Sequence, residues 1–174
     1  MDFQEDILAS YPGDEIIPRV AKVLDAARKA DMLVIFVLVG FRPGYPEVSA
    51  SNKGFAAAKA AGRLLEPTVI DALRPLPREP VLTKRRVSAL GTTDLHTILR
   101  AQEISHLVMT GVSTSGVILS TTRMAVDLDF EITILADCCA DNDAEVHRVL
   151  LEKILPRQAR VTDSTTFLGE LAAA

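Results

Sequence analysis

Two cysteines are all that the 174 residues contain, and they are neighbours, Cys138-Cys139. Adjacent cysteines rarely bridge, because the geometry is strained at that spacing, so no disulfide framework is expected. The pair reads as small core-facing residues at a strand end. Long basic runs are missing too: the longest is Lys84-Arg85-Arg86, in a chain of net charge −4. That balance argues against a nucleic-acid binder or a membrane-surface protein, and for a small soluble substrate or a protein partner. The longest apolar run, Met32 to Val39, falls far short of the ~20 residues that cross a bilayer, and no charged start leads into an apolar signal core. The expected location is the cytoplasm. Histidines number only three, His96, His106 and His147, without H-x-x-x-H spacing. Each is expected to be structural, His147 by tying its helix to neighbouring backbone.

What is present is an alternation. With 48% hydrophobic residues the chain is long enough for one core and too short for two ordinary domains, so residues 1–174 read as a single domain. MLVIFVLV, residues 32–39, is a continuous β-rich run of the kind that parallel strands show when helices cover both faces. Before it, Ile16, Ile17, Val20, Val23, Leu24 and Ala27 recur at helical spacing, with Pro18 in the first turn. Strands are then expected at 81–83, 106–110, 131–136 and near 159–162, and helices at 92–101, 116–128 and 144–155. Such a βα succession predicts a parallel sheet with right-handed crossovers. Residues 40–76, rich in Gly, Pro, Ser and Ala, read as a long loop over the active face, weakly helical only at 64–73. No strand precedes Met1, although a doubly wound sheet usually opens on a central one. Either that strand is missing from this polypeptide or the fold is built without it.

Three segments carry a resemblance. Asp2-Phe3-Gln4-Glu5-Asp6 is similar to a D-x-Q-x-D segment, and KRRVSALGTTDL, residues 84–95, to K-x-x-x-S-A-F-x-x-T-x-L with Leu90 in place of Phe. GVSTSGV, residues 111–117, is similar to a G-V-x-T-x-x-C turn, with Thr121, Ala125 and Asp137 downstream. In this order and at these separations they resemble the isochorismatase-like hydrolases, or cysteine hydrolase family, which includes nicotinamidases, N-carbamoylsarcosine amidases and isochorismatases. The resemblance spans almost the whole chain. It implies an α/β, three-layer, Rossmann-like fold with a mostly parallel sheet of five to six strands and helices on both faces. It further implies a homo-oligomer, dimer or tetramer, and a non-proline cis bond between Val112 and Ser113.

The chemistry departs from the pattern at one position. In the family's thiol enzymes an Asp takes the thiol proton, a Lys polarises the site and the Cys attacks; here Asp2 and Lys84 match, but Val117 stands where the nucleophile belongs. Val117 has no lone pair, so amidase chemistry through a thioester is not expected. Ser113, Thr114, Ser115 and Ser120 lie around it but read as turn and cap hydroxyls. Relatives that also lack the cysteine, isochorismatases among them, imply another route: Asp2 as general acid or base, Lys84 fixing and polarising a small anionic substrate, and the amides of Ser113 and Val117 binding negative charge. Val117 has a plain structural role as well, on a stripe with Ile118, Thr121, Met124, Ala125 and Leu128 facing the sheet. Arg42 and Tyr45, with Asn52 and Lys53, and Thr114 and Ser115 in the turn, are candidates for holding the substrate; the loop residues read equally as a solvated loop or a subunit contact. The metal that nicotinamidases hold with an Asp and two His has no ligands in VGFRPGYPEVSASNKGF, which contains no histidine. No metal and no cofactor are expected. The rival reading is a family member without catalysis, acting as a small-molecule-binding or oligomeric assembly protein. Asp2 can act only if the terminus is fixed, which Phe3 and Ile7 would do as buried anchors.

Overall fold

In a computed structural model describing residues 1–11 and 15–173, the apolar runs become five strands, all parallel. β1 (Phe36–Val39) pairs with β2 (Val81–Lys84), Phe36 opposite Val81 and Val39 opposite Lys84. A second sheet has the order β3-β4-β5, from β3 (His106–Val112), β4 (Glu131–Ala140) and β5 (Arg160–Thr162). Between β1 and β3, among the described residues, only the first residues of the chain make the join. The Met1 ammonium donates to Thr110 O (2.8 Å), and Val112 N–H donates to Met1 O (3.2 Å). Asp2 N–H donates across to Val37 O at 2.8 Å. Met1 therefore sits opposite Gly111 as a residue of a parallel strand would. The expected sheet of five to six strands is thus five strands in two pieces, stitched by two residues.

Strand alternation sends successive side chains to opposite faces. Phe36, Leu135 and Cys138 pack with Ile16, Val20, Val23 and Leu24 of α2 (Ile16–Lys29) and Phe167 of α7 (Ser164–Ala173). Val37, Ile134 and Cys139 pack on the other side with Leu95 and Leu99 of α4 (Leu95–Ala101) and Ala125 of α5 (Leu119–Val126). Helices thus cover both faces, as expected. The two free cysteines look into different layers, which is why they cannot pair.

Several boundaries differ from the sequence reading. The strand expected from Met32 begins at Phe36, because β2 reaches no further back than Val81 and, among the described residues, nothing pairs with Met32–Ile35 on the other side. The 131–136 strand extends to Ala140 and takes in both cysteines. The helix expected at 116–128 is a π-helical turn, Thr114–Ile118, running into α5, and Met124 and Leu128, placed on its sheet-facing stripe, are each 38% exposed. The helix expected at 144–155 is α6 (Ala144–Val149), then a π-helical and a 3-10 turn. In the long loop the helix lies at α3 (Lys53–Ala60), not at 64–73, where only Asp71–Leu73 forms a 3-10 turn. The short helix α1 (Glu5–Leu8) and α7 had no reading at all.

Candidate active site

The site grows from the terminus. Asp2 adopts φ +58°, a left-handed conformation that Asp tolerates better than most residues. What holds it is the next turn of chain: Gln4 Nε2 donates to Val39 O (3.0 Å) while Val39 N–H donates to Gln4 Oε1 (2.9 Å), so a side-chain amide imitates a neighbouring strand. Phe3 is buried and Ile7 half-buried in the surrounding cores. The terminus is therefore fixed, as a role for Asp2 requires.

Lys84, the last residue of β2, meets Asp2 at the edge where parallel strands present their carboxyl ends. Its Nζ lies 2.8 Å from Asp2 Oδ2, and it donates to Arg86 O at 3.3 Å. Both residues are nearly dry, 4% and 2% exposed, and Asp2 Oδ1 has no partner among the described residues. Burial pushes the Asp2 pKa up, with Lys84 opposing, and pushes that of Lys84 down, with Asp2 opposing. The Met1 ammonium is lowered to about 6 by the same desolvation. Here is a carboxyl that keeps its proton more readily than a free one, and an amine that gives one up more readily.

The turn after β3 is held from several sides. The Val112–Ser113 peptide bond is cis. Ser113 Oγ caps the turn by accepting from Gly116 N–H (3.0 Å), and a Cβ on Gly116 would lie 2.6 Å from that oxygen, so the cap needs glycine there. Ser115 N–H donates to Asp141 Oδ2 (2.7 Å). Thr114 Oγ1 donates to Ala140 O (3.1 Å), which spends its proton, so His147 Nδ1–H must be the donor in their 2.8 Å contact. His147 thus ties its helix to a side chain rather than to backbone. Its pKa is lowered by burial, with Asp141 opposing. The N–H group of Ser113 forms no hydrogen bond among the described residues. The isopropyl group of Val117, 2% exposed, packs in the layer of Ile118, Ala125 and Ile134.

Other expected residues are placed elsewhere. Tyr45 is buried with Phe41, Leu64 and Val39, and its hydroxyl donates to Arg63 O at 2.7 Å, anchoring its own loop. Arg42 pairs with Glu47, which also draws Arg85 (3.6 Å). Asn52 caps α3 by accepting from Phe55 N–H (3.3 Å), and Lys53 is exposed. His106 bonds the Thr133 hydroxyl, and His96 meets Phe130 edge-on. Asp137 holds the start of α7, accepting from Ser164 N–H at 2.7 Å. The sequence reading missed Gln4 and Asp141 as positioning groups. Gln4 lay inside a quoted segment, but nothing local announced that Asp141 would meet a turn formed 26 residues earlier.

Comparison with known proteins follows this geometry. A family model described as the isochorismatase domain matches residues 1–166. YecD of Escherichia coli, an uncharacterized isochorismatase family protein, is 31% identical over 98% of this chain and 93% of its own. The ureidoacrylate amidohydrolase RutB of Stutzerimonas stutzeri is 32% identical over 94% of this chain and 68% of its own. A cysteine hydrolase of known structure from Pseudomonas syringae pv. phaseolicola has the same fold, with a TM-score of 0.91 at 22% identity over 99% of this chain and 90% of that one.

Proposed function

This chain belongs to the isochorismatase family, and from that premise we propose that it hydrolyses a small anionic molecule by acid/base chemistry, without a covalent thioester. The observation that carries the reading is the buried Asp2–Lys84 pair, in which one carboxylate oxygen is spent on Lys84 and the other has no partner among the described residues. A carboxyl whose pKa burial has raised can carry a proton to the substrate through that free oxygen. Water then adds to the cation so formed and gives a proton back to the carboxylate, and the resulting hemiketal collapses, its C–O bond to the alcohol fragment breaking as the hydroxyl proton passes to the departing oxygen. Lys84 holds negative charge on the substrate, and the amide of Ser113, unbonded among the described residues, supplies a further donor. Nothing in this sequence of steps asks the side chain at 117 to react. Cys138 and Cys139 are no substitute nucleophiles, since burial raises both thiols to about 12.

Isochorismate, a vinyl ether with two carboxylates, is the first substrate to try. Wild-type protein should turn it over with no acyl adduct, and Asp2→Asn should lose at least ~10²-fold in rate while still binding it. An adduct on any residue of 113–120, or full turnover by Asp2→Asn, would overturn the reading. The rival, a family member kept for binding or assembly, draws on the burial of Val117 in the core. It predicts binding without turnover in both proteins. Val117→Cys probes the same ground: a thiol beside an intact site should react with iodoacetamide well below the pH an ordinary cysteine needs.

A further inference from the structure

Glu47 is placed as a ligand would be. Its Oε1 accepts from Arg42 Nη1 and draws Arg85 Nε at 3.6 Å, while its Oε2 is buried and has no partner among the described residues. The side chain is 14% exposed, in a loop that is otherwise open to water at Pro43, Gly44 and Pro46. A carboxylate with one oxygen between two guanidinium groups and the other left dry matches them poorly, since a fork of N–H donors suits both oxygens at once. Among the described residues neither Arg42 nor Arg85 donates through its Nη2. The geometry points to a second anion seat on Arg42 and Arg85, which Glu47 fills until the outer carboxylate of a dicarboxylate substrate displaces it.

The seat is held by groups other than that carboxylate. Arg85 Nη1 donates to Gly40 O, and Arg85 N–H donates to Thr92 Oγ1 at 2.8 Å. On the loop side, Arg86 Nη1 donates to Glu47 O (3.2 Å), and the buried Tyr45 donates its hydroxyl to Arg63 O (2.7 Å). The backbone can therefore stay in place while the Glu47 side chain alone swings out to solvent through its own torsions. A ligand that must first displace Glu47 binds with an affinity lowered by the fraction of time the seat stands empty.

Position and charge tie the seat to the candidate active site. Two hydrogen bonds lead from one to the other: Glu47 O accepts from the Arg86 guanidinium, and Arg86 O accepts from Lys84 Nζ. The guanidinium groups of Arg42, Arg85 and Arg86 against the one carboxylate of Glu47 leave two positive charges, next to an Asp2–Lys84 pair that is neutral as a whole. A ligand of matching charge is a dianion. The inference rests on the acid/base reading for its inner carboxylate, which Lys84 meets, and adds what the outer one meets.

Fumarate and crotonate, which differ by a carboxylate in place of a methyl group, test the seat in calorimetric titrations. Glu47→Gln removes the internal competitor, so it should bind fumarate about tenfold more tightly than the parent does, while crotonate changes by less than about twofold. Adding Arg42→Gln and Arg85→Gln to Glu47→Gln should abolish the gain. Arg42→Gln alone alters a side chain that is 66% exposed, and it should weaken fumarate while leaving crotonate as it was, which decides the matter even where Glu47→Gln does not fold. No gain for fumarate, equal gains for both ligands, a gain that survives the loss of both arginines, or no saturable fumarate binding by any of these proteins would overturn the proposal. Binding alone is read, so a parent that shows this pattern and hydrolyses nothing would overturn the proposed function and leave the second seat standing.

Discussion

Among the described residues, Asp2 and Lys84 are the ion pair whose two side chains are both almost out of water, at 6% and 3% exposure. Removing one partner of such a pair leaves the other charged in a dry place, whereas removing both leaves nothing to compensate. Lys84→Met should therefore cost about 3–5 kcal/mol in urea unfolding, and the double variant Asp2→Asn with Lys84→Met should recover most of it. Equal losses in the single and double variants would mean that the lysine matters for its packing and not for its charge. Protons give a second check at this scale. The Met1 amine falls from 8.0 to about 6 on folding, so its contribution to stability is complete above pH 8 and is lost as the pH falls through 6. His147, also lowered by burial, acts in the same direction. Asp2, raised, acts in the opposite one, stabilising at low pH and losing that effect as the pH rises. In an Asp2→Asn background, where this opposition is gone, stability should decline from pH 8 to pH 6. A flat profile would show that the amine is hydrated in solution.

At the scale of elements, the chain start approaches β3 with no room for a side chain at Gly111. A Cβ placed on Gly111 would lie 2.7 Å from Met1 O, a backbone atom that cannot swing aside, and 3.1 Å from the Met1 Cβ. Gly111→Ala should therefore push the terminal segment off β3 and cost about 1–3 kcal/mol by overpacking, measured as a lowered denaturation midpoint. Because Asp2 hangs from Met1, the same variant should also weaken any ligand held by Asp2 and Lys84. On the far side of the fold, α2 is tied to the turn before β2 by Arg28, which clasps Glu79 through Nε and NH2 at 2.7 Å each and also reaches Arg74 O. Glu79 in turn accepts from Leu76 N–H (2.8 Å), so one carboxylate fixes both a helix and a turn.

For the whole molecule, the cysteines report on global opening. They lie in β4 facing opposite helix layers, both buried, with thiols raised to about 12. Neither should react with a chromogenic disulfide reagent in the native state at pH 8, and both should react in denaturant. The native labelling rate should track global unfolding, since exposing both requires β4 to part from both layers. Fast reaction of one thiol in the folded protein would reveal a local opening of one face.

The helix–strand alternation, the parallel sheet and the family were legible in the chain, because a strand covered on both faces must be apolar throughout and a covering helix apolar on one side. Asp2, Lys84 and the 111–117 turn were legible too, since each sits in a short segment of its own. What could not be read were relations between segments distant in sequence. Where β1 begins depends on how far β2 reaches, so eight apolar residues yielded a four-residue strand. Whether Met124 and Leu128 are covered depends on what lies above α5. Whether Asp2 is a frayed end or a dry carboxyl depends on Gln4 finding Val39 across 35 residues of chain. Sequence decides which faces are apolar and which groups can titrate; only the packed structure decides which of those groups lose their water, and a group's acidity changes with that loss.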